Sequence, residues 1–158
     1  MSEPEDLVEN ASKRSKNVQT VLAILKNEVD GDAASALEKM TADYSMTWMY
    51  RGKKDLFPTS GHDVQGELKE VYPIKGRQYE IKNIAEGKNV VMVELIESYP
   101  DPETGKVYRT PLVLVLEMQD GKIRTGRHYC DPRLSPEYLE NSIVESAYQS
   151  SPTKQIIE

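Results

Sequence analysis

The sequence predicts an α+β fold in which three helices of the N-terminal half close over a cone-shaped, strongly curved antiparallel sheet, with one more helix near the C-terminus. Three observations predict it. Apolar residues recur at helical spacing up to about residue 43, strand-like segments dominate from residue 78 onward, and Asp120-Gly121 lies between two apolar runs, which is a strong hairpin signal. With 158 residues, 38% of them hydrophobic, the chain is long enough for one domain with a buried core.

The first helix is predicted at 15–29, because five apolar residues recur there at spacings of three and four: Val18, Val21, Leu22, Leu25 and Val29. Gly31 is a plausible stop for it. Asp32 can cap a second short helix that runs to Met40, and Asp63 can cap a third at 64–71.

The first strand is predicted at 44–50, where the sequence YSMTWMY is rich in aromatic and β-branched residues. Further strands follow at 78–85 and 89–99, and the Asp-Gly hairpin joins the last two. A two-residue turn would place Gln119 opposite Lys122 and, two and six residues further along, Glu117 opposite Arg124 and Val113 opposite His128.

The segment 112–116 is apolar at every position, so both faces of that strand must be covered. Helices can cover one face. We expect a second copy of the chain to cover the other, which predicts a homodimer formed through the outer face of the sheet.

A single domain is predicted over 15–149. Ser135 and Pro136 begin its last helix, which is predicted to extend to about Tyr148. The polar segments 1–14 and 150–158 are expected to be flexible.

Composition excludes several classes of partner. The formal charge of -6 disfavours binding to nucleic acids and to anionic membranes. One cysteine and two histidines cannot supply a four-ligand zinc site without carboxylates, and there is no glycine-rich phosphate loop, so chemistry without a cofactor or metal is expected. Residues 1–10 contain no apolar run, and no stretch approaches the roughly 18 apolar residues of a membrane span, so a cytoplasmic location is expected.

The segment 112–132, LVLVLEMQDGKIRTGRHYCDP, and the Gly61 to Leu68 opening of the third helix resemble the nuclear-transport-factor-2-like superfamily. That superfamily includes SnoaL-like polyketide cyclases, ketosteroid isomerases, limonene epoxide hydrolase and phenazine-biosynthesis isomerase-like proteins. The resemblance implies a cone with a pocket, but not one activity, because unrelated chemistries share this fold. In limonene epoxide hydrolase-like members two acids act together; Glu97 and His128 match their positions, and Leu95 matches the position of an arginine.

His128 and Glu97 are therefore the candidate catalytic residues, with His128 as general acid or base and Glu97 as its electrostatic or proton partner. The alternative is that His128 fills the core with one hydrogen bond and that Glu97 is a solvated residue at a strand end. Substrate-binding walls with phenol donors are expected from four aromatic residues, Trp48, Tyr50, Tyr99 and Tyr108, together with Leu95 and Val113. Cys130 shares the strand face of His128, but a packed thiol is favoured over a nucleophile.

The sequence thus predicts a pocket for a small hydrophobic molecule that is polycyclic or contains a carbonyl group. The predicted chemistry is acid–base catalysis, as in isomerisation, cyclisation or dehydration. The alternative is a binding or assembly module of the same fold that performs no chemistry.

Overall fold

The computed structural model describes residues 14–52 and 68–158, and the backbone of residues 62 and 63. The helices are α1 (Lys16–Asp30), α2 (Ala33–Leu37) and α3 (Asn141–Ser146), with a 3₁₀ helix at Ser135–Glu137. The strands are β1 (Met40–Trp48), β2 (His62–Asp63), β3 (Gln78–Gly87), β4 (Val90–Pro100), β5 (Val107–Gln119), β6 (Lys122–Cys130) and β7 (Gln155–Ile157).

The strands form one curved sheet in the order β2-β1-β6-β5-β4-β3-β7. Every neighbouring pair is antiparallel except β1 and β6, which run parallel. The predicted α+β class is confirmed. The parallel pair brings Trp48 beside His128, so the first and last long strands of the sheet contribute to the same region.

Helix α1 lies against one face of the sheet through a stripe of buried side chains, and local capping sets both of its ends. The Ser15 side chain accepts a hydrogen bond from the Val18 backbone N–H, and Gly31 ends the helix in the left-handed conformation at φ 70°. The buried stripe includes one charged residue among its apolar ones: Val18, Val21, Ile24, Leu25 and Glu28. A carboxyl group is therefore buried under the sheet.

The β5–β6 hairpin contains a bulge that the sequence did not predict. Gln119 pairs with Lys122 as expected, but Glu117 pairs with Thr125, so that His128 lies opposite Leu114 and not opposite Val113. Arg124 is the extra residue, and it forms an ion pair with Asp43 in place of Glu117. Because one extra residue reverses the facing of the strand beyond it, the bulge turns His128 toward the interior.

The C-terminal region differs from the single helix predicted at 135–148. It contains the 3₁₀ helix and α3, separated at Tyr138, which has φ 48°. Hydrogen bonds fix this break: the Tyr138 phenol donates to Asp101 at 2.7 Å, and Arg109 donates to the Leu139 carbonyl at 3.1 Å. Ile143 of α3 is 54% exposed.

The final residues, expected to be flexible, join the sheet. Residues 155–157 form β7, which pairs with β3, and Ile157 is buried. The segment that precedes β7 is held by Lys82 of β3, whose side chain is fully buried. Lys82 forms an ion pair with Glu145 at 2.7 Å and contacts the Tyr148 ring. The outer face is thus partly covered by the chain itself.

Two further predictions concern the region before β3. Asp63 was predicted to cap the third helix; the backbone of residues 62 and 63 forms β2 and pairs with Met46 and Ser45. Residues 68–70 are helical, in agreement with the predicted third helix, whose segment 64–67 lies outside the described residues.

The outer face of β4, β5 and β6 carries exposed apolar side chains. Met92 is 44% and Tyr129 is 41% exposed, and Val113 and Val115 are half-buried on the same face. The predicted homodimer through this face stays a prediction.

Candidate functional site

A cavity of about 280 Å³ lies between α1 and the concave face of the sheet. Its walls are mostly apolar, from Leu25 of α1 to Leu112, Leu114 and Leu116 of β5. Along β5 the inward side chains alternate with outward ones, which is why every second residue of this strand faces the cavity. The polar side chains that line the cavity include residues of α1, of β4 and the segment just before β3, and of β6.

The first polar group is a buried network of two carboxyl groups, a phenol and a guanidinium. The Tyr79 hydroxyl donates to Glu28 Oε2 at 2.5 Å, and Arg77 Nη1 donates to the Tyr79 oxygen at 3.2 Å. Arg77 also forms an ion pair with Glu97, and its Nη2 donates to the Val71 carbonyl at 3.1 Å. The network links α1 to β3 and β4, with Arg77 between the two carboxyl groups.

Burial changes the ionisation of two members of this network. It raises the pKa of Glu28 to about 7, although Arg77 and the Tyr79 hydrogen bond both oppose the rise. Burial also raises the pKa of Tyr79 well above its ordinary value, so Tyr79 remains a neutral phenol. Glu28 is therefore a carboxyl group that can gain or lose a proton near neutral pH.

His128 of β6 lies in the same cavity. Burial lowers the pKa of His128 below its ordinary value, so the imidazole is neutral at physiological pH. Its Nδ1 atom is buried and has no hydrogen-bond partner among the described residues. The Trp48 ring meets the imidazole edge-on, with ring centroids 6.4 Å apart. The structure thus places a neutral imidazole in the wall of a largely apolar cavity, with its Nδ1 atom enclosed by protein.

Five of the eight site residues predicted from the sequence line the cavity: His128, Glu97, Trp48, Tyr50 and Tyr99. The Trp48 and Tyr50 rings lie nearly parallel, with centroids 6.5 Å apart. The other three predicted residues are not part of the lining, each for a separate reason.

Leu95 is fully buried in the core, and Val113 faces outward because its neighbours Leu112 and Leu114 face the cavity. Tyr108 packs beside Tyr99 and against Tyr138, at centroid distances of 5.1 and 4.8 Å. It contributes to the aromatic contacts of the C-terminal region and not to the cavity wall.

Cys130 also lines the cavity, two residues beyond His128. Burial raises the pKa of its thiol to about 11, so the sulfur is protonated at neutral pH. This agrees with the interpretation of Cys130 as a packing residue.

Comparison with known proteins identifies the fold. The structure is similar to IdmH, a candidate polyketide cyclase from Streptomyces antibioticus, with a TM-score of 0.65 and 15% identity over 78% of this chain and 98% of that one. It is also similar to an LEH-like epoxide hydrolase from M. tuberculosis, with a TM-score of 0.59 and 17% identity over 85% and 97% of the two chains. An NTF2-like protein from Burkholderia thailandensis E264 matches with a TM-score of 0.62 and 15% identity over 80% and 98%.

The chain has the nuclear-transport-factor-2-like fold. No protein-family model and no curated protein matches the sequence. The likeness is therefore one of fold, and neighbours with this fold include a candidate cyclase and an epoxide hydrolase.

By the family resemblance described above, Leu95 stands where limonene epoxide hydrolase-like proteins carry an arginine. The structure supplies a guanidinium to Glu97 from elsewhere, because Arg77 at the start of β3 reaches across to β4. Sequence reasoning missed both Arg77 and Glu28. Glu28 could have been found from its position, three residues after Leu25 and seven after Val21, on the apolar side of α1.

Among residues 14–52 and 68–158, no group of three or more His, Cys, Asp or Glu side chains is arranged to hold a metal ion. Within the same described part of the chain, no helix is long and apolar enough to cross a membrane.

Proposed function

We propose that the cavity binds a small hydrophobic ketone or a polycyclic carbonyl compound and catalyses proton transfer at the carbon next to the carbonyl group. His128 takes the proton from that carbon. The Glu97–Arg77 ion pair beside it stabilises the charge that develops on the imidazole and on the substrate. Isomerisation, cyclisation and dehydration all begin with such a step.

The observation on which this proposal rests is the state of His128. The imidazole is neutral and lines the cavity, so it can accept a proton from a ligand bound there. The mostly apolar walls lower the local dielectric constant, which strengthens electrostatic interactions within the site. The candidate cyclase and the epoxide hydrolase that share this fold make catalysis plausible for the cavity.

The test uses 2-tetralone, a bicyclic ketone with acidic protons beside its carbonyl group. NMR in D₂O measures the exchange of those protons, and Trp48, the one tryptophan of the sequence, reports binding through its fluorescence because it lines the cavity. We expect the wild-type protein to accelerate exchange over buffer. His128→Asn should lower the rate by about 100-fold or more, the usual contribution of a general acid or base, while Trp48 still responds to the ketone.

The matched control is Lys122→Asn, which introduces the same side chain at an exposed position of the same strand. It should leave exchange unchanged. Retained exchange in a folded His128→Asn protein would exclude His128 as the base. Binding without any exchange in the wild-type protein would instead support the alternative function, a small-molecule-binding module that performs no chemistry.

A further inference from the structure

We propose that Glu28 is a second acid–base residue of this cavity, and that it donates a hydrogen bond and then a proton to the oxygen of a ketone bound there. The inference takes its ligand class from the proposed function. It rests on other residues, however, because Glu28 approaches the cavity from α1 and His128 from β6.

The hydrogen bonds around Tyr79 locate the proton of neutral Glu28. The Tyr79 oxygen accepts from Arg77, so the Tyr79 hydroxyl directs its hydrogen at Glu28 Oε2. Oε2 is then the acceptor atom of the carboxyl group. A neutral Glu28 must carry its proton on the other oxygen, Oε1, where it is available to a ligand acceptor.

The charges of the network explain why Glu28 holds a proton. Arg77 brings one positive charge, and its ion pair with Glu97 already offsets that charge. An ionised Glu28, only 8% exposed, would leave a buried net negative charge with a phenol as its hydrogen-bond donor. The titratable and charged groups that line the cavity with Glu28 are Arg77, Tyr79, Glu97, His128, Tyr44, Tyr50, Glu70, Tyr99 and Cys130.

The two residues together complete an enolisation. The lone pair of a ring nitrogen of His128 takes a proton from the carbon next to the carbonyl, and the electrons of that C–H bond form a carbon–carbon double bond. The carbonyl π pair moves to the oxygen, which receives the proton of Glu28 Oε1. The products are the enol, an imidazolium and a carboxylate. Return of a proton from His128 to the same or another carbon, and of the enol proton to Glu28, restores both residues.

This role makes ligand binding depend on pH in a way that a structural role does not. A ketone accepts hydrogen bonds and cannot donate them, so it binds the form of the protein in which Glu28 is protonated. With the pKa of Glu28 at about 7, the protonated fraction falls about tenfold between pH 6 and pH 8, and the apparent Kd rises by the same factor.

The experiment measures the Kd of 2-tetralone at pH 6 and pH 8 by Trp48 fluorescence. We expect about a tenfold weakening for the wild-type protein. Glu28→Gln should bind with the same Kd at both pH values, since the amide donates a hydrogen bond but does not ionise. Tyr79→Phe should move the midpoint to higher pH, because the lost hydrogen bond favours ionised Glu28. The control is Glu38→Gln, which removes an exposed carboxylate and should show the same pH effect as the wild-type protein.

His128→Asn separates this inference from the proposed function. It should lower proton exchange by about 100-fold or more and keep the tenfold pH effect on binding. Exchange that persists in this variant would count against His128 and not against Glu28. A wild-type Kd that is equal at pH 6 and pH 8 would overturn the role of Glu28. A Glu28→Gln protein with the wild-type pH effect, or no response of Trp48 to millimolar 2-tetralone at pH 6, would overturn it as well.

Discussion

Replacement of Glu28 by glutamine should stabilise the fold at alkaline pH, and the structure gives the size of the effect. Burial raises the pKa of Glu28 from 4.5 to about 7. The folded protein therefore keeps this proton up to about pH 7, whereas the unfolded chain releases it near pH 4.5. The stabilisation that neutral Glu28 gives is complete below pH 4.5 and is lost as the pH rises through 7.

Each pKa unit corresponds to about 1.4 kcal/mol, so the shift from 4.5 to about 7 means that ionisation of Glu28 destabilises the folded state by about 3 kcal/mol. Most of this loss falls between about pH 5 and pH 8. Glutamine has nearly the same shape, accepts the Tyr79 hydrogen bond and avoids this cost. The free energy of unfolding of Glu28→Gln relative to wild type should thus rise by about 2 to 3 kcal/mol over that range.

Urea denaturation followed by far-UV circular dichroism at pH 5, 6, 7 and 8 measures this difference. His128 also titrates, but it is present in both proteins, so its contribution cancels in the comparison. If the two free energies of unfolding stay parallel from pH 5 to pH 8, then Glu28 is not the buried, protonated group described above.

Three further predictions concern the fold and its assembly. Gly126→Ala should lower the free energy of unfolding by about 1 to 2 kcal/mol in urea denaturation, because the new Cβ would lie 2.5 Å from Met46 Cε; an unchanged value would mean that the side chains there repack freely. Lys82→Met should speed amide hydrogen exchange in β7, because it removes the ion pair to Glu145. Unchanged exchange would show that the pairing with β3 is sufficient to hold β7 in place. We propose the homodimer through the outer sheet face: light scattering should give twice 17.9 kDa, and Met92→Glu should give the monomer mass. A wild-type mass of one chain at micromolar concentration would contradict it.

Much of the fold follows from local sequence signals. Ser15 and Gly31 bound α1 to within one residue of the prediction, because a cap and a left-handed glycine depend on neighbouring residues alone. The Asp120-Gly121 turn was equally clear, with Asp120 at φ 51° and Gly121 at φ 76°.

The features that escaped prediction depend on residues far apart in sequence. The bulge at Arg124 is stabilised by an ion pair to Asp43, 81 residues away in the chain, and no local pattern shows it. The break in the C-terminal helix arises likewise because Tyr138 bonds to Asp101 from another element. Both cases show tertiary contacts overriding a local preference.

Only part of the candidate site was predicted, because it too depends on contacts between residues far apart in sequence. His128 and Glu97 were found through a family resemblance, whereas Arg77 stands at the start of a strand where a surface position is the ordinary expectation. Its burial becomes visible only when Glu97 and Tyr79 are placed around it. Glu28 was not singled out in the sequence, and the structure shows that it is buried.

A crystal structure of the protein with 2-tetralone at pH 6 tests the central claim most directly. We predict the ketone inside the cavity, with its oxygen about 2.5 to 3.0 Å from Glu28 Oε1, the range of an O–H···O hydrogen bond, and an adjacent carbon facing the His128 ring. A ketone bound on the outer sheet face, or one inside the cavity whose oxygen does not contact Glu28, would contradict the account.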